Sequence, residues 1–342
     1  MNDLPDSLDQ AWFMHALSGA HLVKNGDIEW ISVRNPSQTF FSNPRIFLID
    51  LEISENGKRT HLDLVLKIAN GLKEHVFFSE IAPVMNNDEI IKCYYSEYNS
   101  EKDRSYFILE NVGKTHHQPD WPIPPQIDQC LNAINSLARV HSFWWNHDDL
   151  EEGLQIKCNL GNTWKGRIEL AITHIPEFFD FIGDRLPTER RQLYDLVLSS
   201  PNQSWLPGRT ELAKTLLHGD AHFWNFMYPV EPDHKTIKII DWNSWDIGRP
   251  TDDLAYMIGL HWYPARRKEY ERYLLENYHK QLKNCGGSLT LNDLQNEYKK
   301  SLSMNLFIPV WQWQKGINPA MWWSHPERSF MAFEDNKCIE II

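Results

Sequence analysis

The chain is poor in several features that mark large classes of protein. Only five of its 342 residues are cysteine, Cys93, Cys130, Cys158, Cys285 and Cys338. They are odd in number, far apart and without a C-x-x-C pair, so neither a disulfide framework nor a structural zinc site is suggested. No apolar run approaches the roughly 18 residues needed to span a bilayer, and the opening stretch MNDLPDSLDQ lacks the basic start and apolar core of a signal peptide. A cytoplasmic protein with no membrane partner is expected. Positive charge is also in deficit. Lys plus Arg number 34 against 46 Asp plus Glu, a formal net charge of -12, which argues against binding nucleic acid or an anionic membrane surface. Internal repeats and low-complexity segments are missing as well. What remains is a globular composition, 42% hydrophobic and 13% aromatic, enough to build a substantial core in one large domain or two ordinary ones.

The first hundred or so residues read as strand-rich. TFFSNPRIFLIDLEIS is a long β-prone run, HLDLVLKIA alternates apolar and polar residues with Lys67 near its end, and SYFILEN is a short apolar strand stopped by Asn111 and Gly113. Between the last two, KEHVFFSEIAPVM places Val76, Phe77, Ile81 and Val84 on one face of a short helix. After Gly113 the pattern turns helical. PPQIDQCLNAINSLARVHSFWW, TERRQLYDLVLSS, ARRKEYERYLLENYHKQLKNCGG and HPERSFMAFEDNKC all carry apolar residues at helical spacing. Within this helical part sits a small β-like insert, LLHGDAHFWNFMYP, then the turn EPDHK, then TIKIIDWNSWDIG.

That insert gathers polar groups inside apolar sequence. Asp220 and Asn225 stand five apart, and Asp241 ends an apolar strand after the turn. Phosphoryl transfer from ATP needs one carboxylate to orient or deprotonate an acceptor hydroxyl, and an Asn and a second carboxylate to supply oxygen ligands to Mg²⁺. Asp220, Asn225 and Asp241 suit those three roles in order. HGDAH, with His218 and His222 flanking Asp220, also admits a metal-dependent hydrolase that activates water.

HGDAHFWN followed by IIDWNSWDIGRPTDDLAYMI resembles the aminoglycoside phosphotransferase and choline kinase-like family of small-molecule kinases, in particular its ecdysteroid kinase-like branch. The resemblance implies an α+β, two-lobed protein kinase-like fold: a small antiparallel β-sheet N-lobe over residues 1–112 and a larger, mainly helical C-lobe over residues 113–342. It implies ATP and Mg²⁺ as cofactors, Asp220 as catalytic base and Asn225 and Asp241 as metal ligands. His218 would hold the loop through backbone hydrogen bonds, and Asp253, in the D-L-A segment, would support it. Upstream, Lys67 matches the strand lysine that contacts the ATP phosphates. Glu74 would be its helix partner, with Glu80 a rival. YFILENVG resembles the hinge, so the Glu110 carbonyl and the Val112 amide would meet the adenine, GTP as donor remaining open.

The loop NPSQTFFSNPR departs from that pattern. It contains no glycine, although close backbone approach to phosphates is usually made by a Gly-rich turn. Ser37, Gln38 and Thr39 are the side chains that could donate instead. A kinase-fold binding module without turnover is the alternative this loop leaves open. The acceptor is expected to be a small hydroxylated molecule. The carboxy-terminal tryptophans would suit a sugar ring, a quaternary amine or a steroid-like alcohol. Acidic net charge favours an aminoglycoside or choline-like cation, the branch resemblance an apolar alcohol. Oligomeric state is not indicated.

Overall fold

In the computed structural model, which describes residues 8–23, 27–34, 45–55, 57–85, 87–148, 150, 163–201, 203–208, 212–231 and 236–342, the apolar alternation of the amino-terminal third becomes an antiparallel sheet. Ser37, Gln38, Thr39, Cys158 and turn residues 232–235 lie outside the described residues. Helix α1 (Gln10–Gly19) precedes strands β1 (Asp27–Arg34), β2 (Arg45–Glu55), β3 (Lys58–Asn70), β4 (Cys93–Asn99) and β5 (Arg104–Glu110), which lie in the order β1-β2-β3-β5-β4. Successive strand side chains point to opposite faces. Phe47, Ile49, Leu51 and Ile53 of β2 and Leu64, Leu66 and Ile68 of β3 therefore share one face, where they pack with Phe13, Ala16 and Leu17 of α1. Burying each large side chain of this kind contributes about 1.5–3 kcal/mol. Three of these elements, α1, β1 and β4, lie outside the sequence-based expectations. α1 is short and starts on the Asp9 carboxylate, which accepts from the Trp12 amide at 2.9 Å. β4, CYYSEYN, is half-buried along its whole length and so shows no clean alternation.

Between β3 and β4 the chain is helical in three stretches, α2 (Lys73–Val76), a π-helical turn (Phe77–Ile81) and α3 (Ala82–Met85). Val76, Phe77 and Ile81 are buried as expected, but Val84 is 53% exposed and Phe78 and Met85 are buried instead. The wider π-turn rotates the residues after it away from the simple helical face.

The chain divides into two compact units, Met1–His117 with Met227–Asn243, and Gln118–Phe226 with Ser244–Ile342. The first holds the five-stranded sheet and, from short strands β6 (His116–His117), β8 (Phe226–Pro229) and β9 (Lys238–Ile239), the sheet that carries the approach to Asp241. The second is mainly helical: α4 (Ile127–Phe143), α5 (Trp164–Thr173), α6 (Ile175–Ile182), α7 (Thr188–Leu198), α8 (Pro250–Leu254), α9 (Pro264–Asn284), α10 (Leu291–Asn305), α11 (Ile308–Gln314), α12 (Pro319–Trp322) and α13 (His325–Asp335), with β7 (Thr215–Leu217) paired to β10 (Asp246–Gly248). α4 buries Cys130, Ala133, Ile134, Leu137 and His141 and packs on α9, whose Leu274, Tyr278 and Leu282 are buried. A small antiparallel-sheet lobe and a larger helical lobe are the parts of the expected kinase-like fold. Among the described residues no helix is long and apolar enough to cross a membrane.

Candidate active site

In the first unit, Lys67 and Ala69 occupy the face of β3 opposite the α1 core, and this parity aims the lysine toward α2. Its Nζ lies 2.6 Å from Glu74 Oε1 and 2.8 Å from Asp241 Oδ1. Glu74, not Glu80, is thus the helix partner of Lys67. Burial by itself lowers a lysine pKa, but here the Asp241 and Glu74 carboxylates outweigh it and hold the Lys67 ammonium above its ordinary value. Burial pushes the Glu74 carboxyl up, against the pull of Lys67. Glu74 Oε1 also accepts from the Trp242 amide at 3.2 Å, whereas its Oε2 is buried without a hydrogen-bond partner. Asp241 sits at φ +65°, a left-handed conformation that non-glycine residues adopt at some cost. Its neighbour Trp242 fixes it there, being fully buried and stacked on Phe77 with ring centroids 4.1 Å apart.

The hinge residues follow directly on β5. The Glu110 amide donates to the Lys92 carbonyl at 2.9 Å, and its carboxylate meets the Lys92 amide at 2.8 Å and Lys238 Nζ at 3.0 Å. The Val112 carbonyl accepts from the amides of Thr115 and His116 at 2.9 and 2.8 Å, so the turn after β5 is held by its own backbone.

In the second unit, the loop from His218 to Asn225 runs between β7 and β8 and is organised around Asp253. The Asp253 carboxylate, fully buried at the start of α8, accepts from the His218 amide at 2.7 Å and the Gly219 amide at 2.9 Å. His141 Nε2 lies 3.2 Å from the same carboxylate, and His141 Nδ1 is 2.7 Å from the Tyr278 hydroxyl. His218 Nδ1 accepts from the Asp220 amide at 3.2 Å. Gly219 is required at its position. It has φ +76°, and a Cβ there would stand 1.9 Å from the Ser244 carbonyl oxygen.

Asp220 follows this clamp. The Asn225 side-chain nitrogen donates to the Asp220 carbonyl at 2.9 Å, which leaves the Asn225 amide oxygen as the atom suited to a cation. The Tyr256 phenol lies near the Asp220 carboxylate and feels its charge. Burial, then the Asp220 charge, pushes the Tyr256 phenol well above its ordinary pKa, so it stays a protonated donor. The two HGDAH histidines do not converge on a common point. His218 is turned into the loop backbone, and His222 Nε2 stands 3.7 Å from Asp220 Oδ2. Among the described residues no group of three or more His, Cys, Asp or Glu is placed to hold a metal.

Three contributors had no signal in the sequence pattern. Tyr256 lies in a π-helical turn (Ala255–Leu260) and looks like one more core aromatic. His141 reads as an apolar-face residue of α4. Arg167, on α5, reads as a solvated helix cation, yet it is 3% exposed and donates to the Gly219 carbonyl at 2.9 Å.

Comparison with known proteins bears on the fold and the family. A sequence profile of the ecdysteroid kinase-like family matches residues 72–291, more than half of the chain. No curated protein sequence matches it. Among solved structures, a protein of Ralstonia eutropha JMP134 assigned as an aminoglycoside phosphotransferase is similar at TM-score 0.57 and 16% identity, covering 97% of both chains. Choline kinase LicA of Streptococcus pneumoniae is similar at TM-score 0.51 and 12% identity, over 96% of this chain and 98% of that one. Ethanolamine kinase of Plasmodium vivax gives TM-score 0.51 at 12% identity, over 90% and 81%. At such identities the structures speak to the fold, which is that of protein kinase-like small-molecule kinases. The profile match carries the family, and the chain belongs to the ecdysteroid kinase-like family of small-molecule kinases.

Proposed function

We propose that the protein transfers a phosphoryl group from ATP, with Mg²⁺, to a hydroxyl of a small molecule, and that Asp220 is the base. The observation that carries this is the loop geometry. Asp220 is held through its amide on His218 Nδ1 and its carbonyl on the Asn225 side chain, whose nitrogen also lies 3.4 Å from the Asp220 carboxylate, and the two preceding amides are held on Asp253. A carboxylate fixed this way presents one orientation to an incoming hydroxyl, accepts its proton and aligns its oxygen for attack. Asp253, His141 and His218 keep the loop backbone in place.

Lys67, paired with Glu74 and Asp241, is assigned to the nucleotide phosphates. The Glu110 carbonyl and Val112 amide are assigned to the adenine. Asn225 and Asp241 would hold Mg²⁺, and they fit it: both offer hard oxygen donors, and Mg²⁺ takes only one or two such ligands from protein when phosphates and water complete its shell. When bound, Mg²⁺ would neutralise charge on the transferred group. The acceptors named for the structural neighbours, an aminoglycoside, choline and ethanolamine, are all hydroxylated small molecules, which supports the acceptor class here.

The test has two parts. ATP plus Mg²⁺ should raise the melting temperature of the wild type but not of Asp241→Ala. With an acceptor consumed by the wild type, Asp220→Asn should keep the nucleotide response and lose about 10²–10⁴-fold in turnover. Full turnover in Asp220→Asn would remove the base assignment.

A further inference from the structure

Among the described residues of the second unit three arginines are buried, and two of them are neutralised. Arg249 pairs with Asp252 at 3.1 Å and donates to the carbonyls of Ser204 and Trp205. Arg267 pairs with Glu271 at 2.8 Å and also with Asp335. Arg167 is the exception. Among the described residues it makes no ion pair, its one hydrogen bond goes to the neutral Gly219 carbonyl, and its Nε is buried without a partner. Its guanidinium is held between two indoles, 5.1 Å from the Trp164 ring and 4.9 Å from the Trp311 ring. The Nε1 donors of both tryptophans are themselves buried without partners.

A guanidinium taken from water without a counter-ion is unfavourable, and two aromatic faces offset only part of that. This group stands beside the loop that carries Asp220. Arg167 holds the residue before it, and Trp164 packs edge-on against Tyr256 at 5.5 Å, which neighbours the Asp220 carboxylate. The neighbouring histidines add no competing cation, because burial keeps both His261 and His325 neutral. The local chemistry is thus three N–H donors without partners and one cation without an ion-pair partner among the described residues, close to the proposed base, in a chain whose net charge is -12.

We propose that Arg167, with the Trp164 and Trp311 indole donors, anchors an oxyanion on the acceptor, so that the alcohol phosphorylated at Asp220 belongs to a molecule bearing a carboxylate and not an ammonium group. This rests on Asp220 being the acceptor base. Arg167 is a specificity residue: it meets the acceptor at its anionic end, while Asp220 meets the hydroxyl. The indole faces on either side suit an apolar body adjoining the carboxylate.

The experiment compares hydroxylated carboxylic acids with their own methyl esters, 3-phenyllactate and a hydroxylated bile acid being the probes, beside choline as the cationic control. With ATP plus Mg²⁺ present, the wild type should take an acid over its ester by on the order of 10²-fold in kcat/KM or in apparent affinity by thermal shift, the scale of a charged hydrogen-bonded contact. Arg167→Gln should abolish that preference, keep the nucleotide-induced rise in melting temperature, and show a ligand-free melting temperature no lower than the wild type's. A purely structural brace on Gly219 would instead lower the melting temperature and leave any acid-to-ester ratio unchanged, which overturns the proposal. A nucleotide response in the wild type with no acid favoured over its ester in either pair overturns it without any variant, so a poorly folding Arg167→Gln does not shield it. Loss of the nucleotide response in Arg167→Gln would assign the cation to the donor's phosphates and overturn it as well. Absence of a nucleotide response in the wild type would bring down the kinase assignment itself, and this proposal with it.

Discussion

Each unit buries a charged node, and the two nodes differ in how fully their atoms are satisfied. In the second unit Asp253 is fully buried, and its two oxygens take the His218 and Gly219 amides with His141 alongside. In the first, Lys67 bridges Glu74 and Asp241, but Glu74 Oε2 is unpartnered and the Asp241 side chain is 24% exposed. A closed node spends its electrostatics on holding backbone. An open one keeps charge in reserve for something that arrives. Arg249 and Arg167 repeat the contrast within one unit.

If that distinction is right, the largest stability effect belongs to the closed node. Asp253→Ala should destabilise the protein by about 3–5 kcal/mol in urea unfolding, because two buried amides and a buried imidazole lose their acceptor together. A loss under about 1 kcal/mol would show that the loop holds itself and that Asp253 is no clamp.

The open node should separate stability from turnover. Lys67→Met leaves Glu74 buried beside Asp241 with no cation, and should cost about 3 kcal/mol. Lys67→Met combined with Glu74→Gln removes both buried charges and should recover more than half of that loss. Turnover should stay down on the order of 10²–10³-fold in both variants, since a lost electrostatic contact to the phosphates is not restored by neutral packing. Recovery of turnover along with stability would make Lys67 a structural residue only.

The contrast also marks what was legible in the sequence. HGDAHFWN and IIDW stand out because polar residues at fixed spacing interrupt apolar runs, and period-2 alternation in β2 and β3 shows which face Lys67 occupies. The choice of Glu74 over Glu80 was not legible. Both lie within one short helix, and a π-turn between them changes the spacing of faces in a way that a 3.6-residue period does not anticipate. Arg167 was hidden for another reason. WKGRIEL is an ordinary helical stretch, and only its packing against Trp311, far along the chain, makes the arginine buried and unpaired. Local pattern reports which residues are polar. Whether a polar residue is satisfied is decided by tertiary neighbours.

Acid should act against the second unit's buried histidines, and this is the smallest of the expected effects. In the second unit, burial and the neighbouring Arg328 and His222 charges push the His325 pKa down from 6.5 to about 3, and burial with His325 and His222 lowers that of His261 well below 6.5. The unfolded chain therefore binds protons that the folded one refuses. Their stabilisation is fully present above pH 6.5 and is lost as pH falls toward the folded values, for His325 by on the order of 1 kcal/mol at pH 5.5. Glu74 has the reverse sign. Its folded pKa is raised above 4.5, so falling pH favours the folded state there. Urea unfolding of His325→Asn between about pH 7.5 and 5.5 should show a shallower slope than the wild type, because one of the refused protons is gone. A slope unchanged by the substitution would mean that acid sensitivity arises elsewhere and that the second unit's buried histidines do not resist protonation.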